Sequence, residues 1–377
     1  MIPLARKTLV YEWRRFVPAV FAVGFSGLLL VVQAALVLGI FDSAAIYVKA
    51  STADLWTGYP GTQSVNFGRT ISPDVEVRLR MDPSIAAVEP YQWVDGDWHS
   101  ARAGEGGISV YLSGIRTAPD GMLFARLITR WQREALREPG AVLVDWADLD
   151  ALGVQVDQTA WINGHRVRVV AAVDGLRGLG GINVLASLDT ARKIGGVDAA
   201  SGTTYLVART LGPAQATQAH LAQEGSAGFG PFEVWTAEQF ALRSQHYWMF
   251  DTGAGVAVLF MAIVVCLVGT VVTSQSLMAV VAGTAREYAV LNALGASRAA
   301  LARLVIEQAC WIGGLGLVLA GVASAALLGL ASVYGVPVAM TPAVAVACAL
   351  LIGLVALFSG IFAVRGLLRA EPALLLR

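Results

Sequence analysis

Long apolar runs without charge interrupt this chain in three places. Asp, Glu, Lys and Arg are absent from residues 16–41, 252–285 and 308–364. An α-helix rises about 1.5 Å per residue, so about 20 apolar residues cross a hydrocarbon core about 30 Å thick. The first two runs therefore predict one membrane span each. The third predicts two, because Tyr334-Gly335-Val336-Pro337 and Thr341-Pro342 supply turn residues near its middle.

Composition agrees with a membrane protein. Charged residues make up 14% of the chain, against about 25% in soluble domains, and a formal net charge of +0 leaves no global basic field for nucleic acid. Lys and Arg near span ends favour the cytoplasm, so the basic clusters place both termini there. These clusters are Arg6, Lys7, Arg14 and Arg15; Arg286, Arg298 and Arg303; and Arg365, Arg369 and Arg377.

The predicted fold class is a membrane α-helical protein with four transmembrane helices and an inserted extracytoplasmic mixed α/β domain. The segments are a cytoplasmic amphipathic N-terminal segment at 1–15, spans at 16–41, 248–275, 305–332 and 342–365, the extracytoplasmic domain at 42–247, a cytoplasmic loop at 276–304, a short external loop at 333–341 and a cytoplasmic tail at 366–377. Arg14 and Arg15 also fit a signal peptide, but the first run exceeds an apolar region of about 7–15 residues.

The segment between the first and second spans has ordinary globular sequence. Residues 107–115, 141–144, 182–186 and 203–208 have strand character, and Asn163-Gly164 predicts a tight hairpin between 159–162 and 166–173. Ser72-Pro73 and Pro213 predict the starts of short helices.

Thr236-Ala-Glu-Gln239 fits a capping box at the start of a helix. Because no proline follows until Pro337, we expect one helix from about Ala237 through the second span, joining the domain to the membrane rigidly. The alternative is a break near Gly253-Ala-Gly255.

The residue types that usually form catalytic or metal sites show no recognisable pattern in this sequence. His99, His165, His220 and His246 lack metal-ligand spacing with Cys or with each other. Cys266, Cys310 and Cys348 all fall in predicted spans, where Cys behaves as a small apolar residue. The glycine-rich stretch 175–181 lacks the Gly-Lys-Ser/Thr ending of a phosphate-binding loop and is interpreted as a flexible loop. We therefore expect no catalytic residue, metal or cofactor on this chain.

The strongest local pattern lies in the predicted cytoplasmic loop, between Thr284 and Arg298. Its composition favours a short helix, Gly295 can end that helix, and Ser297 can cap the next one. Apolar side chains remain on this otherwise wet loop and indicate a protein partner. The candidate coupling residues are Arg286, Glu287, Tyr288, Val290, Leu291, Leu294, Gly295 and Ala296.

This loop resembles that of the FtsX/MacB-type permeases of ABC transporters, through Arg286-Glu287-Tyr288 and the Ala-Leu-Gly-Ala ending at 293–296. The layout of one span, an external domain, three spans and a basic tail is similar over the whole chain. Within the superfamily the chain looks most like the DevC group, through Phe41-Asp42-Ser43-Ala44, Ala53-Asp54-Leu55 and Asn163-Gly164.

The resemblance implies a permease subunit in the bacterial inner membrane, paired with a second permease copy, which we expect to be identical. A separate cytosolic ABC ATPase carrying ATP and Mg would dock on the loop and drive export by mechanotransmission. A periplasmic adaptor, an outer-membrane channel and an amphiphile or glycolipid cargo are implied by the DevC group, with membrane lipid as surroundings.

Two other functions remain open at this point. An FtsX-like regulator would use the same fold and loop to transmit ATPase cycles to an extracytoplasmic cell-wall hydrolase. A membrane-anchored enzyme with an external catalytic domain is the third, although no set of nucleophile, base or metal ligands in the sequence supports it.

Overall fold

A computed structural model describes residues 11, 13–101, 107–223, 230–283, 290, 297–334 and 336–369. The chain divides into two compact units. The membrane unit comprises Met1–Gly39 and Ala254–Arg377, and the inserted domain comprises Ile40–Gly253. Each unit has its own apolar clusters, and each is described separately below.

The bounds of the elements follow in chain order. The helices within the described residues are α1 Trp13–Ser43, α2 Ile46–Lys49, α3 Pro73–Met81, α4 Arg130–Ala135, α5 Leu188–Gly195, α6 Ala214–Gln223, α7 Ala237–His246, α8 Ala254–Gly283, α9 Arg298–Val333 and α10 Pro342–Arg369. The strands are β1 Leu55–Gly58, β2 Ile85–His99, β3 Ile108–Ile115, β4 Ala141–Asp145, β5 Thr159–Ile162, β6 His165–Val173, β7 Ile182–Ser187, β8 Tyr205–Thr210 and β9 Glu233–Thr236.

Among the described residues, three helical segments are long and apolar enough to cross a membrane: Phe16–Ser43, Gly255–Ser276 and Ile306–Val333. Helix α10 contributes a shorter apolar stretch, Pro342–Phe358. The structure therefore supports three of the predicted spans, while the fourth remains a prediction.

Glycines let α1 approach its neighbours closely inside the membrane unit. A Cβ at Gly27 would come within 2.8 Å of the Ala320 Cβ in α9 and 3.0 Å of Ile352 in α10. A Cβ at Gly316 would meet Val23 of α1 at 2.6 Å. Such contacts allow the van der Waals packing on which helix association in lipid depends.

Six strands of the inserted domain close into a barrel. Strand β2 pairs with β3 and β5, and the ring continues through β7, β4 and β6. Alternate residues of these strands point inward and form one buried cluster that includes Val110, Val142, Val169 and Val184. This alternation is the usual consequence of the two-residue repeat of a strand.

The first half of β2 belongs to a second, antiparallel sheet with the order β2-β8-β1-β9. One face carries an aliphatic cluster with residues from α3 and α6, including Val75, Leu79 and Leu221. The other face carries an aromatic cluster that includes Trp56 and Tyr205. The predicted strands and short helices are present, and the mixed α/β domain is confirmed.

The hairpin prediction is confirmed in its backbone. Strands β5 and β6 pair with Ile162 opposite His165, and Asn163 and Gly164 have φ of 49° and 78°. Two successive residues with positive φ are typical of the tight turn that matches the twist of a hairpin.

The expected continuous helix from Ala237 through the second span is wrong. Helix α7 ends at His246, a π-helical turn covers Tyr247–Asp251, and α8 begins only at Ala254. Gly253 has a φ of 75°, a left-handed conformation that ends a helix and that glycine adopts without a side-chain clash. The long apolar helix of the second predicted span therefore begins at Ala254, and the span bounds 248–275 stay a prediction.

Candidate functional site at the neck of the inserted domain

The two segments that connect the inserted domain to the spans lie side by side. We call residues 40–54 and 237–253 together the neck. The chain after residue 54 forms β1, which pairs antiparallel with β9, so that Leu55 lies opposite Thr236. The Ala237 amide donates to the Asp54 carbonyl oxygen at 2.9 Å. The incoming and outgoing chains therefore meet at one end of the sheet.

A second hydrogen bond joins the neck segments further along. The Gln245 side-chain amide donates to the Phe41 carbonyl oxygen at 3.0 Å. Gln245 is buried, and Phe41 is still within helix α1. Since a buried unpaired amide is costly, this bond favours keeping the two segments together.

The outgoing helix α7 is anchored at its start and along its length. Thr236 and Gln239 form the predicted capping box, which satisfies exposed amides at the helix start. Phe240 is fully buried and stacks on Trp235, with ring centroids 4.8 Å apart. Trp56 and Tyr205 lie 5.6 and 5.8 Å from the same ring. Aromatic packing thus fixes the helix to the sheet.

The incoming segment is held by a strap, which we define as residues 116–129. The Met122 carbonyl oxygen accepts from the Thr52 amide at 3.0 Å and from the Ser51 hydroxyl at 3.1 Å. The Arg126 amide donates to the Ala50 carbonyl oxygen at 3.0 Å. The strap therefore holds the incoming segment through hydrogen bonds to its backbone.

Two buried charges hold the strap. The Glu89 carboxylate accepts from the Met122 amide at 2.5 Å, and Arg133 donates to the carbonyl oxygens of Arg116 and Leu123. Burial raises the pKa of Glu89, although the Met122 amide and Arg133 partly oppose this. Burial likewise lowers the pKa of Arg133, and Glu89 opposes that change. The two charges compensate each other inside the domain.

The glycine-rich stretch 175–181 packs against the neck. Asn66 donates to the Leu179 carbonyl oxygen at 2.9 Å, and the Tyr111 hydroxyl donates to the Gly180 carbonyl oxygen at 3.0 Å. A Cβ at Gly180 would come within 3.1 Å of the Trp248 ring. The stretch is a loop, as predicted, and three side chains contact its backbone, while its flexibility stays a prediction.

The outgoing π-helical turn has aromatic contacts of its own. Phe67 packs edge-on against Tyr247 at 5.1 Å, and the Trp248 indole donates to the Ser64 hydroxyl at 3.2 Å. These contacts involve residues 247 and 248, a few residues before Gly253, so the outgoing segment is held close to the start of α8. Sequence analysis missed these partners because they come from a segment about 180 residues earlier.

The predicted coupling residues lie mostly outside the described residues. Of the eight, only Val290 is described, as a helical residue that is 48% exposed. Arg286, Glu287, Tyr288, Leu291, Leu294, Gly295 and Ala296 are not described, so their assignment stays a prediction. Among the described side chains no group of His, Cys, Asp and Glu could hold a metal ion.

The fold and the neck define a class of protein: a multi-pass membrane protein whose inserted α/β domain is clamped where the chain enters and leaves it. Residues 259–372 match the FtsX-like permease C-terminal family. This match identifies an FtsX-like permease domain in the C-terminal part of the chain. Such permeases are components of ABC transporters and work with a cytosolic ATPase. No curated protein matches the chain.

Two solved structures are similar to parts of the chain. The periplasmic region of MacB from Actinobacillus actinomycetemcomitans is 13% identical with a TM-score of 0.38, and the match covers 52% of this chain and 94% of that one. The extracellular domain of YknZ, a noncanonic ABC-type transporter from Gram-positive bacteria, is 13% identical with a TM-score of 0.34. That match covers 49% of this chain and all of the YknZ domain, 100%.

Proposed function

We propose that this chain is the permease subunit of an ATP-driven exporter of the mechanotransmission type. A separate ATPase would dock on the loop at 284–296 and move the spans, and the neck would pass that motion to the inserted domain. The observation that carries this proposal is the neck itself, in which hydrogen bonds join the incoming and outgoing segments at residues 54 and 237 and again at 41 and 245.

In the proposed topology the chain has four spans, with α10 as the fourth. Both termini lie in the cytoplasm, and the inserted domain lies outside the bacterial inner membrane. The basic clusters support this orientation. A second permease copy would pack on α9, where Gly321, Ala325 and Gly329 are exposed at four-residue spacing. Within the described part of the chain, no atom of another element lies within 4 Å of a Cβ at Gly321 or Gly329, and small residues in such a row favour close helix approach.

The outer partners and cargo are proposed from the DevC resemblance. A periplasmic adaptor and an outer-membrane channel would receive an amphiphile or glycolipid cargo. ATP and Mg would be bound by the ATPase alone. The DevC assignment would fail if purification recovered no adaptor.

Purification of the tagged chain from its native membrane tests the proposal. We expect an ABC ATPase and an adaptor to co-purify, whereas recovery of a cell-wall hydrolase or its activator would favour the FtsX-like regulator instead. Glu287→Lys with Leu291→Asp should abolish ATPase recovery. A matched control, Glu76→Lys with Val77→Asp on the exposed side of α3, should leave it unchanged. Equal recovery with both double variants would refute the coupling assignment.

A further inference from the structure

A cleft at the far end of the barrel from the glycine-rich stretch concentrates positive charge. Strands β4 and β6 run parallel. At the end of β6, Val173 comes shortly before the stretch at 175–181, and at the end of β4 the Asp145 carboxylate accepts from the Leu176 amide. Gly140, just before β4, and His165, at the start of β6, line the cleft. Strand β7 runs antiparallel to β4, so its end at Ser187 reaches the same place. The cleft thus lies at the opposite end of the barrel from the neck contacts.

Three separate elements each supply one cation to the cleft. Arg137 follows α4, Arg166 lies at the start of β6, and Lys193 lies on α5. Asp189 is the one carboxylate among the described lining residues, so the lining has a formal charge of +2 with His165 neutral. Arg137 also has Glu134 at 3.8 Å, an exposed pair that water screens strongly.

Hydrogen bonds and close packing hold the floor of the cleft in place. The buried Thr190 hydroxyl accepts from the Gly140 amide at 3.3 Å and from the Ser187 hydroxyl at 2.8 Å. Gly140 has a φ of 78°, and a Cβ there would meet the Arg166 carbonyl oxygen at 3.0 Å. These contacts hold the starts of β4, β6 and α5 together, so the three cations surround a fixed concavity.

We propose that this cleft binds a small phosphate-bearing ligand. Its volume, about 460 Å³, falls within the range of about 300–1,000 Å³ usual for small-molecule sites, whereas protein interfaces are broad surfaces. The two guanidinium groups suit paired hydrogen bonds to phosphate oxygens, and the ammonium group adds a point charge. The chain as a whole is neutral, so this charge is local.

Calorimetric titration of the full chain in uncharged detergent tests the proposal, with glycerol phosphate and dihexanoyl phosphatidic acid as probes. Equal binding would identify a free phosphate compound as the ligand class, and tighter binding of the lipid would identify a lipid headgroup. Binding should weaken as salt is raised. Failure of both probes to bind would overturn the proposal.

The double variant Arg166→Gln with Lys193→Gln should weaken binding by about ten-fold or more, from the loss of two charged contacts. Both side chains are exposed, so the fold should survive, and an unchanged thermal unfolding temperature would verify this. Arg209→Gln, which removes an exposed arginine from β8 outside the cleft, should bind as the unmodified chain does. Equal binding by the double variant would overturn the proposal.

Discussion

Replacing Arg133 with Met should release the strap from the inserted domain. The change keeps most of the side-chain volume but removes the charge and the donors to the Arg116 and Leu123 carbonyl oxygens. Arg133 is 3% exposed and Glu89 is 1% exposed. Of the two arginines whose charges oppose the effect of burial on Glu89, Arg133 has the larger effect and Arg116 the smaller, so Glu89 would become a buried charge with less compensation. Breaking such a buried pair from one side costs about 3–5 kcal/mol. We expect a loss of this size for Arg133→Met.

Unfolding in denaturant, followed by tryptophan fluorescence in detergent, measures the loss. The ten tryptophans of the chain all lie in the inserted domain except Trp13 and Trp311, so the signal reports mainly on that domain. The control is Arg80→Met, which removes an exposed arginine paired with Glu76. Its cost should stay within about 1 kcal/mol.

A second change separates the charge effect from lost packing. Glu89→Gln in the Arg133→Met background removes the orphaned carboxylate and should recover at least about 1 kcal/mol. Neighbouring groups are expected to show such coupling in a double-mutant cycle. A loss below about 1 kcal/mol for Arg133→Met, or no recovery on adding Glu89→Gln, would refute the reasoning.

The sign of the pH dependence follows from the pKa of Glu89. Burial raises this pKa in the folded domain, so the folded state takes up the proton at a higher pH than the unfolded state does. The contribution to stability is fully present below the unfolded pKa and is lost as pH rises through the folded pKa. The penalty of Arg133→Met should therefore shrink as pH falls, and adding Glu89→Gln should flatten that dependence.

Three further substitutions test the neck and the hairpin by the same unfolding assay. Phe240→Ala should cost about 3–5 kcal/mol because it empties a fully buried ring site, whereas the exposed Leu242→Ala should be nearly neutral; equal costs would contradict the aromatic anchor. Thr236→Ala should cost about 1 kcal/mol through the lost helix cap, and no loss would count against the capping box. Gly164→Ala should cost about 1 kcal/mol because φ is 78° while no atom of the described residues crowds a Cβ there; a gain in stability would disprove that strain.

Local pattern was enough to predict the elements that depend on neighbours in sequence. Absence of charge revealed the apolar helices, Asn163-Gly164 revealed the hairpin, and Thr236 with Gln239 revealed the start of α7. Each of these signals acts over a few residues. The interruption at Gly253 was visible only as an alternative, because glycine permits both a helix and a left-handed end.

Long-range structure was not predictable in this way. Strand β2 contains Pro90 and Gly96 and alternates charged with apolar residues near its end, which hides its strand character. The structure explains the proline, since Pro90 lies where β2 changes partner from β8 to β3, and proline is tolerated at such irregular positions. The Glu89 and Arg133 pair and the closing of the barrel depend on contacts that no local pattern encodes.

The most direct test of the account is the distance between the inserted domains of the two proposed permease copies during the ATPase cycle. A spin label at Ala219→Cys, exposed on α6, in a chain with Cys266, Cys310 and Cys348 replaced, would report it by pulsed electron paramagnetic resonance. Insertion of Gly-Ser after Gly253 softens the neck, and the same insertion after the exposed Gly212 is the control. We predict that ATP shifts the distance in the labelled chain and in the control, but not when the neck is softened. The same distances with and without ATP, in a complex that hydrolyses ATP, would contradict the account.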